Sequence, residues 1–184
     1  MKRLILLVTF AALVTYNAYA QRVYISCPEH IDTKPNAGFL DKQSVDLVIT
    51  DSRIIPSDAK IECKGTDIEQ ALKDFLQSEF PSSKITLFHD TLKAPKPNTI
   101  TIRLNITAYH ASLSKSEWTA SVNYHVMIFD DRKGRTKKVS EDISNDTSKP
   151  GIWGYKKTAK SCLLTSFDKS NQDLVSFIES ALKE

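Results

Sequence analysis

The chain has 184 residues, with 25 Lys and Arg against 22 Asp and Glu, and 41% of it is hydrophobic. A formal net charge of +3 is far from the clustered cationic composition on which phosphate binding rests, which argues against nucleic acid as a partner. A chain of this length has enough residues to bury a core without help from metals, and it fits one domain.

Residues 1–20 have the three-part layout of a secretory signal: Lys2 and Arg3, an apolar run from Leu4 to Val14, then Ala18, Tyr19 and Ala20. The run is too short to span a bilayer, which takes ~20 residues. The expectation is cleavage after Ala20, no transmembrane segment afterwards, and an exported protein, periplasmic or secreted. Its three cysteines then meet an oxidising compartment, and one disulfide can form. Cys27 with Cys63 is the favoured pair, because Cys162 sits on the apolar stripe of a predicted helix, and Cys63 with Cys162 is the alternative. Lipidation of Cys27 is a further alternative, although the preceding Tyr24, Ile25 and Ser26 do not supply the Leu-like residue and two small ones that it wants.

Residues 21–43 hold Pro28, Pro35, Asn36 and Gly38 without a sustained period and read as an irregular arm ahead of one domain at 44–184. Val45 to Ile49 is a β-branched strand, and Lys60 to Lys64 a second short one carrying Cys63. Thr66 and Glu69 form a capping box for a helix with apolar residues at Ile68, Ala71, Leu72, Phe75, Leu76 and Phe80, which Pro81 stops. Lys84 to Phe88 is a strand, and Ala94 to Asn98 a Pro-rich loop.

From Ile100 the period becomes two: Ile102, Leu104, Ile106 and Ala108 alternate with polar residues, and Trp118, Ala120, Val122, Tyr124, Val126 and Ile128 do the same. Even-numbered residues must share a face, so paired numbers sum to an even value and the connecting loop, around Ser112 to Ser116, has an odd length. A four-residue turn, Asp131 to Gly134, leads to a strand around Arg135 to Asp146, setting Val126 opposite Val139, Val122 opposite Ile143 and Tyr124 opposite Glu141. Gly134 supplies the positive φ of that turn. Beyond Pro150 a helical stripe runs through Ala159, Cys162, Leu163, Ser166, Phe167, Leu174, Phe177, Ile178, Ala181 and Leu182, as one helix or as two with a cap near Ser170 and Asn171. The class is α+β: an antiparallel β-sheet with helices packed on one face.

No motif for chemistry stands out. His110 and His125 lie on adjacent strands, but parity places them on opposite faces, and neither has a ligand neighbour at metal spacing. Ser112 with Lys115 and Ser57 with Lys60 match Ser-x-x-Lys but fall in loops. The carboxylate pairs Asp130 with Asp131 and Glu141 with Asp142 are adjacent residues that face different ways. No cofactor and no metal are implied. A basic cluster, Arg132, Lys133, Arg135, Lys137 and Lys138, is a candidate contact for an anionic surface such as envelope lipid, or else a solvated tip protecting an edge strand. Val139, Glu141 and Ile143 form a candidate edge strand for a partner.

The order of elements, from the strand at Val45 to Ile49 through the alternating strands at Ile100 to Ala108 and Trp118 to Ile128 to the C-terminal helix ending in Phe177, Ile178 and Leu182, resembles the YajG-like envelope proteins of Gram-negative bacteria. It is also similar to the auxiliary lipoproteins of envelope transporters. The resemblance implies a periplasmic or membrane-associated, non-enzymatic protein. Those families carry a lipidated cysteine directly after the signal, where this chain has Ala20 and Gln21. The leading expectation is therefore an exported, non-catalytic binding or assembly module for an envelope protein or lipid. The alternatives are a hydrolase assembled from His125, Tyr124 and Glu141, and a secreted inhibitor or immunity-like protein using the Ala94 to Asn98 loop.

Overall fold

The computed structural model describes residues 22–28, 33–89, 96–151 and 156–183. The signal segment, His30, Trp153 and the first two residues of the Ala94 to Asn98 loop lie outside them. In chain order the elements are β1 (Arg22–Ile25), β2 (Ser44–Asp51), β3 (Lys60–Ile61), α1 (Gly65–Glu79), β4 (Lys84–His89), β5 (Ile100–Ser114), β6 (Glu117–Asp130), β7 (Lys137–Pro150) and α2 (Lys156–Leu182). The fold is α+β. Three long antiparallel strands, β5, β6 and β7, form its body. The far edge of β5 is shared, its first half pairing in parallel with β2, which carries β4, and its second half pairing antiparallel with β1, which carries β3.

Arg22 to Ile25, expected within an irregular arm, is thus a sheet strand. Four residues carry too little period to be read alone, and the long edge of β5 holds them. The capping box is also displaced. The Asp67 carboxylate accepts the Lys64 backbone N–H at 3.0 Å, so α1 starts before Thr66, while Glu69 is buried and bonds His89 across to β4.

Parity holds over the first half of the β5–β6 hairpin, where Ile102 faces Ile128 and Ile106 faces Tyr124. A bulge at Thr107 then breaks it: Ala108 pairs with Asn123, and the strands meet in a two-residue turn, Lys115 and Ser116, rather than an odd loop. The extra residue flips the alternation, so Tyr109, Ala111 and Leu113 take over the buried face from the even positions. The β6–β7 turn is six residues long rather than four. Asp130 grips Arg132 through two oxygens and Thr136 bonds Asp131, which draws Arg135 and Thr136 into the loop. The register accordingly sets Tyr124 opposite Ile143, Val126 opposite Glu141 and Ile128 opposite Val139. Gly134 has φ 68, the positive value that turn requires.

α2 is one helix of 27 residues, and Ser170 and Asn171 lie fully buried in its middle. Its sheet-facing stripe is small and polar. Cys162 Sγ reaches the carbonyls of Thr147 (2.8 Å) and Trp118 (3.4 Å), Ser166 Oγ those of Asn145 and Ala120, and Ser170 Oγ donates to Val122 at 2.8 Å. The helix therefore rests over the seam between β6 and β7. Lys149 holds its first turns through Ser161 and Thr165, and Lys137 donates to the Ala181 carbonyl at its end. α1 lies alongside over β2 and β4, and Ile68, Leu72 and Leu76 share one core with Val45, Leu47, Ile102 and Phe167. At the far end Gly151 backs onto Trp118 so closely that a Cβ there would clash with the indole.

Because Ser166 and Ser170 are walled by backbone, larger side chains there would lift the helix. Ser166→Leu is expected to destabilise the protein by about 1–3 kcal/mol in urea unfolding, as overpacking does, and more than Ser166→Ala.

Candidate functional site

The carbonyls that α2 touches fix the polarity of the edge strand. Ser166 reaches Asn145 and Ala120 together, and Cys162 reaches Thr147 and Trp118 together, so all four carbonyls point into the β6–β7 seam. Odd residues of β7 therefore turn their backbone groups toward β6. Even residues, Lys138 to Ser148, turn theirs outward. β7 pairs with β6 and with no other described strand, and its register runs from Lys137 to Pro150 without a bulge. Fourteen residues is long for an edge, and edges are usually kept short, bulged or interrupted by proline. Val139, Glu141 and Ile143 do lie on this strand, but their backbone groups are spent on the ladder and their side chains share the face that α2 covers. The groups available to a partner strand belong to Lys138, Ser140, Asp142, Ser144, Asp146 and Ser148.

The basic cluster divides. Arg132 is committed to Asp130, whose carboxyl those hydrogen bonds hold below its usual range, and Lys137 to the end of α2. Lys138 stands over the Phe129 ring on the second face of the sheet, beside Arg103 on the same ring. Lys133 and Arg135 are exposed at the tip. Only part of the cluster is therefore presented as a patch.

The residues of the hydrolase alternative are not brought together. Tyr124 is buried under α2 and donates to Asn171, and burial pushes its phenol well above the usual value. His125 is on the second face, 2.5 Å from Asp142, while Glu141 is exposed beside α2. His110, expected on the buried face, instead shares the second face with His125, because the bulge at Thr107 reverses the parity of β5. It pairs with Ser121, four residues along β6 from His125, which keeps the two imidazoles apart.

At the other end of the sheet Cys27 and Cys63 are joined by a disulfide with Cα atoms 4.7 Å apart, which ties the end of β1 to the start of α1. A cysteine so bonded has no sulfur left for a lipid. Asp67 Oδ2 stands 3.8 and 3.9 Å from the two sulfurs, and the trio is the one group with metal-ligand proximity among the described residues, but sulfurs in a disulfide are not thiolate ligands. Cys162 is buried, and burial pushes its thiol up. Next to the disulfide, Tyr24 donates to Glu62 at 2.5 Å and Lys156 adds a contact at 3.0 Å. Those hydrogen bonds, Tyr24 first, pull the Glu62 carboxyl down to about 2, while burial and the same bond push Tyr24 up to about 12.

A cleft of about 340 Å³ opens where β5 changes partner, between the end of β2 at Ile106 and the end of β1 at Ala111. Ile54, Ile55 and Pro56 form its lip and the bulge its floor. Arg53, bidentate to Asp51, spans the gap to the Tyr109 carbonyl at 3.5 Å and lies over its ring. Ile54 is 94% exposed. The sequence did carry a signal for this lip: two consecutive isoleucines before a proline, fitting neither period. The cleft offers apolar surface and a guanidinium already paired, which suits packing rather than bond chemistry.

No family model and no curated protein matches the chain. Among solved structures, a hypothetical protein of Chlamydia trachomatis is similar with a TM-score of 0.50 and 9% identity, over 76% of this chain and 98% of that one. A minor lipoprotein of Acinetobacter baumannii follows at 0.47, 14% identity and 75% and 91% coverage, and a lipoprotein of Neisseria meningitidis at 0.34, 11% identity and 73% and 99%. At 9% identity the likeness to the Chlamydia trachomatis protein is one of fold alone.

Two measurements check this geometry. Proline at Ser144 removes an outward N–H and leaves the ladder intact, whereas proline at Asn145 removes an inward one; the second is expected to cost about 1–3 kcal/mol more in urea unfolding. Carboxyl NMR is expected to show Glu62 titrating at about 2, and higher in Tyr24→Phe. A carboxylate depressed in the folded state adds stability above its ordinary pKa that fades as the pH falls toward 2.

Proposed function

We propose that the chain is an exported, non-catalytic binding module of the bacterial envelope, related to the YajG-like proteins, which engages a polypeptide partner by strand addition at β7. The observation that carries this reading is the long, bulge-free outer edge of β7, whose even residues hold out backbone donors and acceptors in a regular row. The side chains along it, Ser140, Asp142, Ser144, Asp146 and Ser148, are polar, which suits reversible pairing in water rather than permanent burial. Export rests on the layout of residues 1–20 and agrees with a disulfide between Cys27 and Cys63. No helix among the described residues is long and apolar enough to cross a membrane, so association with the envelope would run through partners or through the cations at the β6–β7 tip.

The test is photo-crosslinking in the native host with a reactive side chain at Ser148. A discrete protein adduct that disappears in Ser144→Pro is the expected result. Adducts unchanged by Ser144→Pro would show that the edge is not the contact.

A further inference from the structure

We propose that the strand added to β7 is β7 of a second copy, giving a two-fold dimer with one continuous sheet and the two α2 helices side by side. The inference rests on the strand-addition reading and names its partner.

Three observations converge on a second copy. The first is the edge itself. A two-fold axis normal to the sheet pairs β7 antiparallel with its own copy and keeps the helices on one face, provided that opposed residue numbers sum to an even value. Centring the axis on Ile143 overlaps the strands from Lys137 to Lys149, with Ser140 opposite Asp146 and Asp142 opposite Ser144, all of them residues whose backbone groups point outward.

The second is spacing. α2 lies over the β6–β7 seam, half a strand spacing inside the edge, so in the extended sheet the two helix axes fall two strand spacings apart, or about 10 Å. Packed helices lie about 8–10 Å apart, the distance depending on the side chains at the contact. The flank of α2 above β7, marked by the contacts of Lys149 with Ser161 and Thr165 and of Asn145 with Asp173, continues through the exposed Ser176 and Ser180.

The third is charge. Lys169 and Asp173 are exposed one turn apart on that flank, and between them Ser170 and Asn171 meet Val122 and Tyr124, the latter the partner of Ile143 on the ladder. The two-fold axis therefore sets Lys169 of each copy against Asp173 of the other. Lys137 falls opposite Lys149, but each is already turned to its own α2, to the Ala181 carbonyl and to Ser161 and Thr165.

The experiment is sedimentation equilibrium on the purified protein. The expected result is a concentration-dependent dimer that becomes monomeric in Ser144→Pro. Lys169→Glu is expected to weaken the dimer about tenfold, and Lys169→Glu with Asp173→Lys to restore it, because the exchange preserves the pairs. A wild-type protein that stays monomeric at about 100 μM would overturn the proposal, as would a dimer indifferent to both Ser144→Pro and the charge reversal. If the protein is monomeric but the Ser148 crosslink to a different protein persists and is lost in Ser144→Pro, the second copy is wrong and strand addition stands. If neither dimer nor crosslink forms, both fail.

Discussion

The contact of α2 with the β6–β7 seam organises this molecule. Cys162, Ser166 and Ser170 recur every fourth residue, so they form one line along the helix, and each meets backbone carbonyls rather than side chains. Small residues let the helix sit close, and their polar atoms give the carbonyl lone pairs a second partner where water is excluded. The helix is thereby held in direction as well as in position, with Lys149 and Lys137 gripping it from the two ends of β7. β7 has few apolar side chains of its own, and most of what keeps it in the sheet is its ladder with β6 and this clasp.

The bulge at Thr107 is the second determinant. A strand of fifteen residues with a strict period would present one face to one layer along its whole length. The inserted residue lets β5 serve β2 in its first half and β1 in its second, with the core passing from Ile106 to Tyr109 across the break. Tyr109 seals that junction: its hydroxyl donates to the Ser26 carbonyl, its ring meets Phe167 edge-on, and Arg53 covers it from the cleft.

What the sequence made legible was whatever repeats. The alternation of β5 and β6 gave their existence and their buried face, and the stripe from Ala159 to Leu182 gave α2. The two cysteines that the structure joins are those left once Cys162 is assigned to the stripe. What stayed hidden depended on single residues acting at a distance. Nothing local marks Thr107 as an insertion, so the even-numbered parity holds up to that point and reverses beyond it. The β6–β7 register missed by two because Arg132 folds back on Asp130, a contact indistinguishable in sequence from any exposed pair. Ser170 and Asn171 resemble a helix cap, since the residues that start helices are also those that can donate to a buried carbonyl. The outward polarity of β7 became readable only through the carbonyls its neighbour helix touches.

The placement of β1 bears on how the chain reaches this state. Its four residues find their sheet position only against Leu113, Ser112 and Ala111, nearly ninety residues later, and its other neighbour, β3, is itself two residues long. Closing so long a loop is entropically costly and the reward is a short ladder, so docking is expected late, after β5 and β6 have formed their hairpin. The bond between Cys27 and Cys63 would then act as a latch, fastening an already placed segment rather than guiding the search. The part of the described chain that is synthesised first is thus among the last to be fixed.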